Sequence, residues 1–475
     1  MHRIYLLFLV ITTAASYAEE SKSILWSTTI ASPAGPGFST PTVGDLDGDL
    51  SNGNEVVISS GGSVTAFSST GAQSWTAQVP SANCPGVSES DRVYSSPTIG
   101  ILKKNETPAI VIGYGPMTAR GCDGGVVAFD GQSGQEKWHF SIAEHSKKLK
   151  YFVFRMGVFS KPAISPVQKD GFALISFGSF ARNIYLLQGD GAVRFYYEGA
   201  DTVFSSPTFY RSTLGTLRFT IGQDISQNTK IKPQTFNGGY LNVFGTNALP
   251  KTNSNKKIPF RSTDNLGKTG LIYQTYLDQT IQSSPSIEDV DSSSPGPEII
   301  VGTGCYFPEN LSPKLGNKII ILNEKTRKVL SEIPTNTCMQ SSPVVLGTDL
   351  VAFIDSGKTN VGGDGIARLI TYKRETVDSK SNWNKLWEVE IPSVSQWQSP
   401  KKIQLSDGSI GVAIFAGGRI RAYDSSTGTL VWKGNVAGDP NNASISIGDV
   451  NGDGIQDAIF VGDVSQGVKV SVIGG

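Results

Sequence analysis

The sequence predicts an all-β protein, a single β-propeller of four-stranded blades with eight blades as the expected count. Three observations predict it. A short polar phrase ending in proline recurs along the chain. Short alternating apolar runs fill the intervals between its copies. The last repeat is one strand short, while a strand-like run stands unassigned before the first. Seven is the alternative blade count, because the unit from Pro207 to Gln282 is long and irregular.

The phrase reads Phe38-Ser39-Thr40-Pro41, Tyr94-Ser95-Ser96-Pro97, Phe159-Ser160-Lys161-Pro162 and Phe204-Ser205-Ser206-Pro207. It continues as Gln282-Ser283-Ser284-Pro285, Gln340-Ser341-Ser342-Pro343 and Trp397-Gln398-Ser399-Pro400, with a proline-less copy at Ala443-Ser444-Ile445. Units therefore begin near residues 38, 94, 159, 204, 281, 339, 396 and 442, a period suited to four-strand propeller repeats with loop insertions. The first unit shows the internal order. Thr42-Val43-Gly44, Glu55 to Ser59, Ser63 to Phe67 and Ser74 to Ala77 are short, β-branched and alternating. Each is bounded by Gly, Asn, Ser or Asp, as strands are. Proline at the start of a first strand costs little, since its missing N–H lies outside the ladder.

The closing unit offers strands near Ser444–Asp449, Asp457–Val461 and Val468–Val472 and then ends. Ile24 to Thr29 has the character of a fourth strand and is expected to complete that blade, covering edges that would otherwise stay open.

Composition narrows function. Lys plus Arg and Asp plus Glu both number 41, so the net charge is zero and no basic nucleic-acid surface is expected. Three histidines are too few for histidine-rich metal sites. His2-Arg3, the apolar run Ile4 to Val10 and Ser16-Tyr17-Ala18 form the pattern of a cleaved signal peptide over residues 1–18. Residues 19–475 are then one exported propeller domain, secreted, periplasmic or at the cell surface, without a transmembrane segment and monomeric by itself. Four cysteines agree with an oxidising compartment and lack any C-x-x-C spacing. In the blade assignment Cys84 and Cys338 precede first strands, whereas Cys122 and Cys305 fall between second and third strands. Those connections share one face of a propeller, which predicts Cys84–Cys122 and Cys305–Cys338.

Ala128-Phe129-Asp130-Gly131-Gln132-Ser133-Gly134 with Trp138, and Ala422-Tyr423-Asp424-Ser425-Ser426-Thr427-Gly428 with Trp432, resemble the A-x-D-x-x-T-G-x-x-x-W repeat of pyrroloquinoline-quinone-type propellers; Gly62 to Trp75 is a weaker copy. The Asp and Thr/Ser-Gly build a tight turn, and the tryptophan is expected to dock on the neighbouring blade. Acidic turns elsewhere resemble FG-GAP/VCBS repeats, the calcium-binding units of integrin α-subunits and of many exported bacterial proteins.

Three loops between first and second strands carry the candidate chemistry. Asp449, Asn451, Asp453, Ile455 (through its carbonyl) and Asp457 place oxygens at positions 1, 3, 5, 7 and 9, the alternation that wraps a hard cation such as Ca2+. Asp45, Asp47 and Asp49 alternate likewise, with the closing acid displaced to Glu55. Asp289, Asp291, Ser293 and Glu298 form a third loop with fewer carboxylates. Calcium here is structural, fastening strand ends.

Two classes of function are compatible with this reading. The favoured one is a non-catalytic propeller that binds a protein, glycan or envelope partner through one loop face, supported by long insertions at Tyr114–Asp123, Gln223–Asn237, Leu249–Lys268 and Cys305–Gly316. The alternative is an enzyme, a calcium-dependent polysaccharide lyase with a base drawn from residues such as Tyr151, Arg155, Tyr196 or Tyr197. A quinone-dependent dehydrogenase is disfavoured. The enzymes this repeat resembles carry adjacent cysteines over the cofactor, and no two cysteines are adjacent here.

Overall fold

The computed structural model describes residues 20–32, 34–82, 84, 93–117, 119–148, 155–199, 201–226, 236–246, 257–258, 270–291, 293–307, 316–358, 363–377 and 380–475. The signal-peptide segment, Tyr151 and the insertion around Leu249–Lys268 lie outside them, apart from the short strand Lys257–Ile258.

Among these residues the strands form eight sheets, one per repeat unit. Blade 1 is Thr42–Gly44, Glu55–Ser60, Ser63–Phe67 and Gln73–Gln78, each antiparallel to the next. Blades 2 to 7 repeat the order, and the innermost strands contact one another all the way round, that of blade 8 touching that of blade 1. The count is eight. The irregular unit after Pro207 is one blade, Thr208–Arg211, Leu217–Ile225, Gly238–Gly245 and Leu271–Leu277, with its insertion between the last two strands.

Blade 8 is closed from the other end of the chain. Ser446–Gly448, Asp457–Val464 and Gly467–Ile473 take Ile24–Ile30 as their antiparallel outer strand, with Thr28 opposite Val470. The chain before it continues as Glu20–Lys22, parallel to Leu430–Asn435 of blade 7, an addition that the repeat pattern does not announce.

Eight apolar clusters stand between the blades, one at each interface. At the seam, Val56 and Ile58 of blade 1 pack on Val461, Val470 and Val472 of blade 8. Each sheet buries both faces this way, which is why second and third strands read as continuous apolar runs.

The recurring phrase stitches blade to blade. The N–H of Thr40 donates to the Ser96 hydroxyl at 2.9 Å. Lys161 donates to Ser206, Ser206 to Ser284, Ser284 to Ser342, Ser342 to Ser399, Ser399 to Ser444, and Ser444 back to Thr40 Oγ1 at 3.1 Å. Seven of eight links are present. The missing one runs from Ser96 to blade 3, where Lys161 stands in place of a hydroxyl.

The repeat tryptophans dock as their motif implies. Trp75 Nε1 donates to Gly131 O of blade 2 at 2.9 Å, Trp138 to Gly189 O of blade 3 at 3.0 Å, and Trp387 to Ser425 O of blade 7 at 2.8 Å. Trp26, in the closing strand, does the same to Ser69 O of blade 1 at 2.8 Å. Glycine is obligatory beneath the ring. Gly134 has φ +68°, and a Cβ there would lie 2.5 Å from Trp75. Trp432 packs against Ile445 and Phe460 of blade 8 without this bond. Blade 8 takes its fourth strand from elsewhere and so has no turn joining its last two strands.

Candidate binding face and calcium loops

The connections entering first strands and those between second and third strands share one face, here the upper one. Both disulfides are on it. Cys84 joins Cys122 with Cα atoms 4.9 Å apart, and Cys305 joins Cys338 at 5.0 Å.

The residue preceding each Ser-Ser-Pro copy points across the upper mouth of the central channel. Phe38 meets Phe159 edge-on at 4.9 Å and Trp397 at 5.3 Å, and Phe204 meets Phe159 at 5.3 Å. These rings, from blades 1, 3, 4 and 7, form an aromatic layer over the channel. Their common place one residue before the phrase was the available signal.

Beside this layer is a cavity of about 290 Å³ lined by Met117, Arg155, Phe180, Asp224, Gln282 and Tyr306, among others. Gln282 Nε2 donates to Asp224 Oδ2 at 2.9 Å, and Gln340 Nε2 to Gln282 Oε1 at 2.7 Å. Burial pushes the Asp224 carboxyl up to about 7, with the bond from Gln282 offsetting only part of that. Tyr306 is 65% exposed at the rim. Both of its chain neighbours are anchored. Cys305 beside it is disulfide-bonded, and Gln279 both accepts the Phe307 N–H at 2.9 Å and donates to the Phe307 carbonyl at 3.0 Å. Phe236 and Tyr276 of blade 4 are also exposed, and the Tyr276 hydroxyl donates to Asn237 O at 2.6 Å.

Of the candidate lyase bases, Arg155 lines the cavity, whereas Tyr196 and Tyr197 are buried between blades 2 and 3 and between blades 3 and 4. Neither tyrosine faces a groove.

The acidic loops occupy the opposite, lower face. Asp45, Asp47 and Glu55 bring carboxylate oxygens within 4.8 Å of one another. Asp49 turns away to accept the Ser51 N–H and hydroxyl. In the Asp449 loop, Asp449 accepts N–H bonds from Gly452 and Gly454, Asp453 accepts that of Ile455, and Asn451 donates its amide to Asp453 at 2.8 Å. In the third loop the buried Asp291 Oδ1 receives Arg374 Nη1 of blade 6 at 3.0 Å, the arginine being partly buried, and Glu298 receives Asn323.

All three loops share one device. The second residue is a buried apolar side chain, Leu46, Val290 or Val450, and its N–H donates to the closing acid, Glu55, Glu298 or Asp457, at 2.8 to 3.0 Å. Burial raises each of these acids, Asp457 to about 6. Asp47, by contrast, is held low by the amide of Asn52. The oxygen-only donor set of the Asp45 loop fits calcium, and three carboxylates that close repel one another without a cation.

A family profile described as outer membrane protein assembly factor BamB matches residues 8–169 and 288–473, more than half of the chain. The chain belongs to this family of PQQ-like propellers. Among solved structures, BamB from Moraxella catarrhalis is similar over 95% of this chain and 98% of that one, with 12% identity and a TM-score of 0.53. The C-terminal WD40 domain of Sif2 is similar over 96% and 99%, with 11% identity and a TM-score of 0.53. Rhamnogalacturonan lyase YesW, at 12% identity over 94% of this chain and 75% of that one, reaches a TM-score of 0.49, too loose a likeness to weigh for a lyase. No curated protein matches the chain. At such identities the structural likenesses establish the propeller fold alone. No helix among the described residues is long and apolar enough to cross a membrane.

Proposed function

We propose that this BamB-family chain is an exported, non-catalytic propeller that binds a protein partner through its upper face and is stabilised by calcium in FG-GAP/VCBS-like loops on its lower face. The observation that carries the reading is Tyr306. A large exposed aromatic on a loop fixed by a disulfide and by two hydrogen bonds to Gln279 is preordered for contact, so little side-chain or loop entropy is lost on binding. Arg155 and Met117 beside it are of the residue types enriched at interface cores. Two disulfides and the N-terminal export pattern support an oxidising compartment. The family description, an assembly factor, supports a protein as the partner. Calcium is proposed for the Asp45 and Asp449 loops. In the third loop Arg374 already supplies the positive charge.

A photocrosslinking residue at Tyr306, with Ser426 on the lower face as control, tests the binding face in cells. The expected result is a protein adduct of defined mass from position 306 and none from 426. Equal labelling from both faces, or none from 306, overturns the reading.

A further inference from the structure

The central channel has an unusual lining beneath the aromatic layer. Side chains alternate along each innermost strand, so Phe38, Thr40 and Thr42 and their counterparts in the other blades form successive layers down the channel wall. A chamber of about 340 Å³ lies there, and neither Asp nor Glu lines it.

Its second layer is the hydroxyl ring that stitches the blades. Each of the seven oxygens accepts a backbone N–H from the preceding blade. A hydroxyl that accepts in this way keeps its own proton to donate. The ring therefore offers O–H donors to the chamber. In the next layer Thr42, Thr98, Thr208 and Ser286 instead spend their protons on the carbonyl of the neighbouring blade's proline.

Two positions depart from the Ser/Thr pattern of these layers by carrying a cation. Lys161 of blade 3 replaces a hydroxyl in the ring and forfeits one stitch. Lys401 of blade 7 stands one layer on, where five of the other seven blades carry Thr or Ser and blades 3 and 6 carry Ala163 and Val344. Blades 3 and 7 are four apart in a ring of eight, hence diametrically opposed. Lys161 Nζ reaches towards Thr42 Oγ1 of blade 1, 3.4 Å away, so its ammonium lies inside the channel. Burial, and secondarily Lys401, depress the Lys161 pKa to about 8, the mark of a cation short of counter-charge.

We propose that the chamber binds a small oxyanion, of the sulfate or phosphate class, between Lys161 and Lys401 and the hydroxyl ring. Two ammonium groups and a ring of O–H donors, with no carboxylate, make a donor-rich, positively charged lining suited to an anionic acceptor. A chamber of this volume, partly roofed by the aromatic layer, suits a free small ion and not the headgroup of a larger molecule. This site is independent of the partner-binding reading.

Calorimetric titration of the folded mature chain with sodium sulfate at pH 7, against sodium chloride at matched ionic strength, tests it. Sulfate is the probe because phosphate would also sequester calcium. Wild type should bind one equivalent, and Lys161→Ser and Lys401→Met should each weaken binding at least ten-fold. Lys161→Ser restores the missing stitch, so its melting temperature without sulfate should be no lower than wild type, which separates loss of ligand from loss of fold. No heat beyond the chloride blank, or equal affinity in wild type and both variants, overturns the proposal.

Discussion

Asn54 of blade 1 grips the first residues of the Asp449 loop in blade 8. Its N–H donates to Val450 O at 2.9 Å and its side-chain amide to Asp449 O at 2.5 Å. Gly53 makes the approach possible, since a Cβ there would lie 2.1 Å from the same Val450 carbonyl. The two loops proposed to hold calcium, one from each end of the chain, thus meet where the ring closes. A cation in either loop would brace the seam that also depends on Ser444 donating to Thr40 and on the Ile24–Ile30 strand.

Calcium and the closing acids should therefore separate by mutation. Calcium at a hundred times its Kd should add about 2.7 kcal/mol for each loop it occupies. That increment should fall in Asp47→Asn and Asp453→Asn, less than additively in the double variant because the loops touch. Asp457→Ala and Glu55→Ala should instead destabilise by roughly 1–3 kcal/mol with chelator present as well, since each strands the buried N–H of Val450 or Leu46. Thermal melts with and without chelator check this. A wild type indifferent to chelator would end the calcium reading and leave the acids as purely structural.

The closing strand should govern aggregation. Trp26 docks on blade 1 while its strand seals blade 8, so Trp26→Ala should cost about 2–4 kcal/mol, somewhat below a fully buried tryptophan. Deleting residues 20–30 should expose the Gly467–Ile473 edge and drive association. Light scattering and melting temperature of the two variants decide it; a truncated chain that stays monomeric and equally stable contradicts the role.

Much of this architecture was readable because each letter of the repeat has a local mechanical task. The Ser-Ser-Pro phrase, the Asp-to-Gly turn and the short last unit predict blades, turns and closure, and blade bookkeeping alone pairs Cys84 with Cys122 and Cys305 with Cys338. What was not readable depends on distance across the ring. Arg374 lies 83 residues from the Asp291 it neutralises. Phe38, Phe159 and Trp397 become one layer only when blades 1, 3 and 7 face each other. That the closing acids also accept the buried loop N–H leaves no trace in spacing. Tyr196 and Tyr197 read as available groups, although blade 2 covers the first, blade 4 the second, and the short strand Lys257–Ile258 pairs with their strand.

The disulfides should contribute mainly through the unfolded chain. Closing loops of 38 and 33 residues is worth about 4 kcal/mol each in the chain-entropy view. Cys305→Ser with Cys338→Ser should in addition loosen the Tyr306 loop, while Cys84→Ser with Cys122→Ser should not. Urea unfolding measures the first effect and hydrogen exchange at residues 303–307 the second. Unchanged exchange there would mean that Gln279 alone fixes the loop.

Asp224 should give the protein a pH dependence of defined sign. Its buried carboxyl keeps its proton up to about pH 7, whereas the ordinary value is 3.8. Between those limits the folded state holds one more proton than the unfolded chain, so this residue's contribution to stability falls as pH rises from about 4 and levels off above 7. Asp224→Asn retains an oxygen for Gln282 and cannot ionise. The variant should gain on wild type by on the order of 1–3 kcal/mol between pH 5 and pH 8, with most of the gain below pH 7. Other carboxylates titrate over the same range, so the informative quantity is the difference between the two proteins in urea midpoints at each pH. A constant difference across the range would mean that Asp224 is ionised throughout, its charge met within the cavity that Arg155 also lines.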